Sequence, residues 1–176
     1  MEHSIVAGKS STLERIAMTP IFPIDKDFCT RQAIVLSMNP NSEHDPDKPK
    51  FVIRIPAPNF HSADVDFVRN DATLTSADVQ SILNEQMQFI ATSGRGIIED
   101  QEIIVEIHSS GVPKLSLVDL PGLIAFQNNV QDGPEDDLAL RIDALSRQYL
   151  DDPNTGAVVC VVVAGTDNLK ASKALR

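Results

Sequence analysis

The chain has 176 residues, of which 42% are apolar and 23% are charged, and its formal net charge is −10. This composition is typical of a globular domain with a sizeable core. The negative charge disfavours a broad nucleic-acid surface and a polybasic membrane patch, so we expect no nucleic-acid partner. No apolar run reaches the roughly 20 residues that span a bilayer, and the N-terminus lacks the features of a secretory signal. The sequence therefore predicts a cytoplasmic protein.

The hydrophobic pattern alternates between strands and helices along the chain. Apolar runs, alternating or continuous, predict strands at 30–38, 50–55, 101–109, 114–120 and 156–164. Helical periodicity predicts helices at 10–17, 75–94 and 133–150, with a further one starting near 167. This alternation is typical of a layered α/β fold.

Three local features refine this prediction. The strands at 30–38 and 50–55 are joined by a short charged turn, so we expect them to form an antiparallel pair. Ser76 is the expected N-cap of the helix at 75–94. Asp64, Asp66 and Asp71 are expected to lie in a polar loop that needs no ligand.

The first motif with chemical meaning is Gly8-Lys9-Ser10-Ser11, which runs directly into the first predicted helix. A phosphate-binding loop places backbone N–H groups and the positive end of a helix around phosphates. In such a loop the lysine reaches the β and γ phosphates, and the serine hydroxyl binds Mg²⁺. The tripeptide alone is a weak signal, because an exposed helix start also explains it.

The second motif is "LSLVDLPGL" at 115–123, in which an apolar strand ends at Asp119 and Pro121-Gly122 turn the chain. In phosphate-loop GTPases an aspartate in this position holds a Mg²⁺-bound water, and the glycine N–H senses the γ phosphate. A plain turn after a strand is the alternative explanation. Finding both motifs in the expected order favours a nucleotide site.

Thr30 is the third candidate, because it lies in a loop just before a predicted strand. Switch-type GTPases place a threonine there to bind Mg²⁺ and to orient the attacking water. A single threonine before a strand is usually structural, so its assignment depends on the other two motifs.

These motifs together resemble the dynamin-like large GTPase family. "GKSSTLERI" is similar to the G-K-S-S-V-L-E start of the family's first helix, and "CTR" is similar to its first switch segment. "PKLSLVDLPGLI" resembles L-T-L-V-D-L-P-G, and "GRGI" resembles N-K-G-I before a strand. "VVCVVVAGTDNLKASKAL" resembles the stretch that ends in D-x-x-x-S-x-A-L. The resemblance extends from about residue 7 to residue 175.

The resemblance implies a phosphate-loop NTPase fold, with a mostly parallel central sheet, an antiparallel strand pair and incomplete ends. It implies that residues 1–176 are the N-terminal portion of one dynamin-type GTPase domain, without stalk, effector or membrane-binding domains. By position, the nucleotide-binding residues are Ala7, Gly8, Lys9, Ser10, Ser11, Asp119 and Gly122. The implied metal ligands are Ser10, Thr30 and Asp119, and the implied catalytic residues are Lys9, Thr30 and Gly122.

The implied activity is hydrolysis of GTP to GDP and phosphate with Mg²⁺, in a family that remodels membranes. The implied partners are guanine nucleotide and a second GTPase domain. Membrane association would come only through segments missing from this chain. The implied location is the cytoplasm, at the periphery of membranes or microtubules through family-type assemblies.

Departures from the family pattern leave other functions open. His3 stands where the family loop has glycine, and Ile5 and Val6 stand where it has polar residues. Apolar side chains cannot offset charge in the transition state. No T-K-x-D or N-K-x-D guanine-reading motif occurs in the chain. A non-hydrolysing nucleotide-binding or interaction module is therefore the main alternative, and an ATPase is a third possibility.

Overall fold

The structure is a computed structural model, which describes residues 9–23, 30–121 and 134–153. Three helices and five strands lie in these ranges. In chain order the elements are α1 (Lys9–Ala17), β1 (Gln32–Pro40), β2 (Lys50–Ile55), β3 (Phe67–Arg69), α2 (Ser76–Thr92), β4 (Ile98–Ser109), β5 (Leu115–Asp119) and α3 (Pro134–Asp151). The predicted strand at 156–164 and the helix near 167 lie outside the described residues.

The five strands form one mixed sheet in the order β3-β2-β4-β1-β5. Strands β1 and β4 are parallel, whereas β1–β5, β2–β4 and β2–β3 are antiparallel. The α/β class is therefore confirmed for the described part. The expected predominance of parallel pairing is wrong for these five strands, because only one of their four pairings is parallel.

The hydrophobic cluster that includes α2 lies on one face of this sheet, and α3 also buries Ala139, Ile142 and Leu145. Alternate residues of β1, β2 and β4 are buried on that face, because side chains point to opposite faces with a period of two. The apolar stripe of α2 covers them, as the helical periodicity predicts, and α1 adds Ala17. The buried core residues of these elements are Ile34, Leu36, Met38, Phe51, Ile53, Ile55, Val79, Ile82, Leu83, Met87, Ile90, Ile103, Val105 and Ile107.

The predicted antiparallel pairing of the strands at 30–38 and 50–55 is wrong. Strand β4 lies between β1 and β2 and pairs with both. Neighbouring strands are about 4.8 Å apart, so the linker at 41–49 has to cross only about 10 Å. A linker of that length reaches the next-but-one position as easily as the adjacent one.

Of two smaller expectations, the loop position of three aspartates is confirmed and the N-cap of α2 needs correction. Asp64, Asp66 and Asp71 lie outside strands and helices, as expected, although residues 67–69 among them form the short edge strand β3. Asp66 accepts hydrogen bonds from Arg54. Helix α2 is capped by Thr75 and not by Ser76. The Thr75 hydroxyl accepts from the Asp78 N–H, while the Asp78 carboxylate accepts from the Thr75 N–H. This reciprocal capping box places the N-cap one residue earlier along the chain than expected.

None of the helices in the three described ranges combines the length and the apolar character that a membrane crossing requires.

Candidate functional site

The candidate site is built around Asp119, the last residue of β5. Asp119 is 0% exposed, which is unusual for an acidic residue. The ladder between β1 and β5 sets Asp119 opposite Ile34. Because these strands are antiparallel, the end of β5 lies beside the start of β1. The segment that leads into β1 is therefore brought to this carboxylate.

Thr30 lies in that leading segment, two residues before β1 begins. It is 4% exposed, and its hydroxyl donates a 2.9 Å hydrogen bond to Oδ2 of Asp119. A buried hydroxyl needs a partner, and here the partner is a carboxylate oxygen at good hydrogen-bonding distance. Thr30 thus lies before β1, as expected, and its hydroxyl contacts Asp119.

Ser10, which lies near the N-terminus of the chain, contacts the same oxygen. It lies in the first turn of α1, and its hydroxyl donates a 3.0 Å hydrogen bond to Oδ2 of Asp119. The N-terminus of a helix carries unpaired N–H groups and a partial positive charge. The three residues expected to bind a metal therefore meet at one carboxylate oxygen, beside the positive end of a helix.

The other expected site residues lie wholly or partly outside the described part of the chain. Ala7, Gly8 and Gly122 lie outside the described residues, as do His3, Ile5 and Val6. Lys9 and Ser11 belong to the first turn of α1 by their backbone, and their side chains lie outside the description. Their roles in phosphate binding and in catalysis stay predictions.

The chemistry of the three meeting side chains fits Mg²⁺. Magnesium prefers hard oxygen ligands, keeps several waters and usually binds through one or two carboxylates plus substrate phosphates. Ser10, Thr30 and Asp119 offer two hydroxyls and one carboxylate. Across residues 9–23, 30–121 and 134–153, no group of three or more His, Cys, Asp or Glu residues could hold a metal by itself. The oxygen set thus suits an ion that also takes ligands from a phosphate.

One supporting residue of this site was missed from the sequence. Glu14 of α1 accepts hydrogen bonds from the backbone N–H groups of Ile21 and Phe22, at 3.1 and 3.0 Å. Gln80 of α2 donates to the Phe22 carbonyl at 2.9 Å. These bonds fix the chain that leaves α1. The only signal in the sequence was the position of Glu14 one helical turn after Ser10, which puts both on one face of α1.

A separate hollow of about 330 Å³ lies between the α2–β4 turn and α3. Its lining residues are Gly94, Arg95, Ile97, Ile98, Glu99, Asp100 and Arg141. None of them was expected to contact a nucleotide, and none contributes to the cluster around Asp119.

Comparison with known proteins agrees with the motifs. The chain is 30% identical over 170 residues to "Dynamin-like GTPase msp1, mitochondrial" of Schizosaccharomyces pombe, and 32% identical over 171 residues to "Dynamin-like GTPase MGM1, mitochondrial" of Saccharomyces cerevisiae. It is 27% identical over 179 residues to "Dynamin-1-like protein" of Danio rerio. These alignments cover 97%, 96% and 97% of this chain, but only 17%, 17% and 23% of the relatives.

The chain thus spans about a sixth to a quarter of the length of these relatives. A model of the "Dynamin family" matches residues 4–175, which is nearly the whole chain and includes Ser10, Thr30 and Asp119. The chain therefore belongs to the dynamin family.

Proposed function

We propose that this chain is the N-terminal part of a dynamin-type GTPase domain that binds GTP with Mg²⁺ and hydrolyses it to GDP and phosphate. The observation that carries the proposal is the meeting of the Ser10 and Thr30 hydroxyls at Oδ2 of Asp119. Three residues from separate motifs, two of them buried, meet at one carboxylate beside a helix N-terminus and are hard to explain as independent structural features. Family membership supports the choice of a GTPase.

In this proposal, one set of residues binds the phosphates and another set binds the metal. Backbone N–H groups of 7–11 and the Lys9 ammonium hold the β and γ phosphates. Ser10 and Thr30 would offer their hydroxyls to the metal, and Asp119 would hold the metal through a water. When bound, Mg²⁺ would supply positive charge that offsets the negative charge of the phosphates.

Hydrolysis itself rests on positioning and electrostatics, with no covalent step on the protein. Thr30 orients the attacking water through its backbone and hydroxyl. The N–H of Gly122 contacts the γ phosphate and reports its loss to the following segment. Both roles follow from family membership and motif position.

The second candidate is a module that binds nucleotide, or only a partner, without hydrolysis. Ile5 and Val6 favour it, because neither can stabilise charge that develops in the transition state. ATP is an alternative substrate, because none of the residues assigned above contacts the base. Competition of GTP against ATP for the bound analogue decides between the two nucleotides.

The partners and the cellular location of the protein are also proposals. Self-association through the GTPase domain and membrane remodelling by longer assemblies are proposed from family membership. We propose a cytoplasmic location at the periphery of membranes or microtubules. Two relatives are named as mitochondrial proteins, so imaging of the tagged protein against mitochondrial and cytoplasmic markers is the test.

The experiment that tests nucleotide binding is a titration with a fluorescent GTP analogue, with Mg²⁺ and with a chelator. It uses the unmodified chain, Lys9→Ala, and Lys48→Ala as the matched control, because Lys48 is an exposed lysine in the β1–β2 loop. We expect Mg²⁺-sensitive binding that Lys9→Ala loses and Lys48→Ala keeps. Equal binding by all three proteins would contradict the site.

A phosphate-release assay then separates an enzyme from a binder. Mg²⁺-sensitive binding without phosphate release would favour the non-hydrolysing module. The absence of any binding by the unmodified chain would favour a pure interaction module.

A further inference from the structure

The turn between α2 and β4 offers three successive backbone carbonyls to two arginines. Arg141 of α3 donates from Nη1 to the Arg95 carbonyl at 3.0 Å and from Nη2 to the Ile97 carbonyl at 3.2 Å. Between them, the Gly96 carbonyl accepts from Nη1 of Arg31 at 3.1 Å. The turn at 95–97 is therefore held from α3 on one side and from the start of β1 on the other.

Gly96 allows this arrangement. Its φ is +73°, a backbone region that L side chains rarely adopt. A Cβ at this position would lie 3.1 Å from Cδ1 of Leu138 on α3. The turn thus favours glycine for its backbone conformation, and an added Cβ would also require the Leu138 side chain to shift.

The α3 side of this arrangement is fixed by an ion pair. Arg141 donates two 2.8 Å hydrogen bonds to the carboxylate of Glu99, at the start of β4. Such a two-point contact between a guanidinium and a carboxylate fixes orientation as well as distance. With these bonds and the two carbonyls, Arg141 ties α3 to both ends of the turn.

Arg31 is held by its backbone as well as by its side chain. Its N–H donates to Sδ of Met87 in α2 at 3.1 Å, and its carbonyl accepts from the Ile98 N–H at 2.9 Å. Thr30 is the preceding residue, and its hydroxyl must be within reach of Asp119 to serve the site. Contacts that fix Arg31 therefore also restrict the backbone of Thr30.

From this geometry we propose that Arg31 is a positioning residue for Thr30, with the 95–97 turn and Arg141 as the brace that connects it to α3. The proposal rests on the proposed function, in which Thr30 and Asp119 serve a Mg²⁺–nucleotide complex. Arg31 acts through Thr30 and contacts neither metal nor nucleotide. Loosening the brace lowers the affinity for Mg²⁺ and leaves phosphate binding by 7–11 intact.

The test compares Arg31→Gln and Arg31→Lys with Arg54→Gln. Arg54 is the matched control, because it is an exposed arginine of β2 that pairs with Asp66. For each variant, one titration measures the Mg²⁺ concentration that half-saturates nucleotide binding, and another measures nucleotide affinity in chelator. A general loss of structure would weaken binding under both conditions, whereas mispositioning of Thr30 changes only the Mg²⁺ dependence.

We expect Arg31→Gln to raise the half-saturating Mg²⁺ concentration about tenfold, because a hydrogen bond from a charged group is lost. Affinity in chelator stays unchanged. Arg31→Lys recovers part of the effect, and Arg141→Gln shifts the midpoint in the same direction by less. If the midpoint for Arg31→Gln stays within about twofold of the control, which corresponds to a lost contact of little energetic weight, the proposal is overturned.

Hydrogen exchange separates this proposal from the proposed function. If the unmodified chain binds no nucleotide, the proposed function fails, but amide exchange still reports the brace. Faster exchange at 96–98 and at 32–34 in Arg31→Gln, and not in Arg54→Gln, supports the brace. Identical exchange in the two variants refutes it without any nucleotide.

Discussion

The hydroxyl of Thr30 donates a 2.9 Å hydrogen bond to Oδ2 of Asp119, although the two residues are 89 positions apart in the sequence. The register between β1 and β5, with Ile34 opposite Asp119, explains how they meet. A slip of one residue in this register would turn Asp119 to the other face of the sheet. The site is therefore a consequence of strand pairing as much as of the motifs.

The first prediction concerns this hydrogen bond alone. Thr30→Val removes the buried hydroxyl donor with little change in shape. We expect the free energy of unfolding to fall by about 1–3 kcal/mol, because a bond to a charged acceptor is lost. Urea denaturation of the nucleotide-free chain measures the difference.

Thr30→Ser is the control for that prediction, since it keeps the hydroxyl and removes only a methyl group. We expect it to be closer in stability to the unmodified chain than Thr30→Val is. If the two variants were equally stable, the hydrogen bond to Asp119 would contribute nothing measurable.

The sequence predicted the parts of the site that depend on local structure. Ser10 at a helix start, Asp119 at the end of an apolar strand and Thr30 before a strand each follow from a few neighbouring residues. Their meeting also followed from the family resemblance. The structure adds the atoms: both hydroxyls bind one oxygen of Asp119.

Contacts that depend on distant backbone atoms could not be predicted in this way. Arg31 binds the Gly96 carbonyl, and Glu14 binds two N–H groups beyond the end of α1. Nearly every residue has such backbone groups, so no sequence pattern marks the partners. The insertion of β4 between β1 and β2 was missed for a related reason, because linker length does not specify which strand becomes the neighbour.

The second prediction compares two glycines of the α2–β4 turn. Gly94 and Gly96 have nearly the same φ, +74° and +73°. An added Cβ at Gly94 meets nothing within 4 Å, whereas one at Gly96 lies 3.1 Å from Leu138. Gly94→Ala is expected to lower the free energy of unfolding by about 1–2 kcal/mol from backbone strain alone. Gly96→Ala is expected to cost more, because it also presses on α3.

Denaturation of both variants measures the difference, and Gly94→Ala serves as the matched control for strain. Equal costs would mean that Leu138 moves aside freely, and the turn would then not be packed tightly against α3. A larger cost at Gly94 would contradict the described packing directly.

The third prediction concerns a buried pair of amides between α2 and β1. Nε2 of Gln86 donates to Oε1 of Gln32 at 2.9 Å, and both residues are fully buried. Gln86 Oε1 also accepts from the Phe60 N–H, and Gln32 Nε2 donates to the Gln101 carbonyl. Replacing either glutamine by leucine leaves the other without its partner, which costs about 1–3 kcal/mol for each group left unsatisfied.

A double-mutant cycle with Gln32→Leu, Gln86→Leu and the double variant tests this pairing. We expect the double variant to be destabilised by less than the sum of the single variants, with a coupling of about 0.5–3 kcal/mol. Strict additivity would show that the two amides do not stabilise each other.

The fourth prediction concerns Tyr149, the one tyrosine in a chain that has no tryptophan. Burial in α3, together with the hydrogen bond from its hydroxyl to Glu102 and the negative charge of that residue, raises the pKa of Tyr149 above its ordinary value of 10.0. A pKa that is higher in the folded state gives a stabilisation that is fully present at pH values below the unfolded-state pKa. This stabilisation is lost as the pH rises from the unfolded-state pKa through the folded-state pKa.

Phenolate absorbance measures this titration without interference from other residues. We expect the folded chain to show little phenolate at pH 10.0, the ordinary pKa, and the unfolded chain in denaturant to be half ionised there. Glu102→Gln is the matched control, since it removes the charge but keeps a hydrogen-bond acceptor, and it should bring the folded pKa part of the way back. A folded chain that titrates like the denatured one would show that Tyr149 is neither partly buried nor hydrogen-bonded to Glu102.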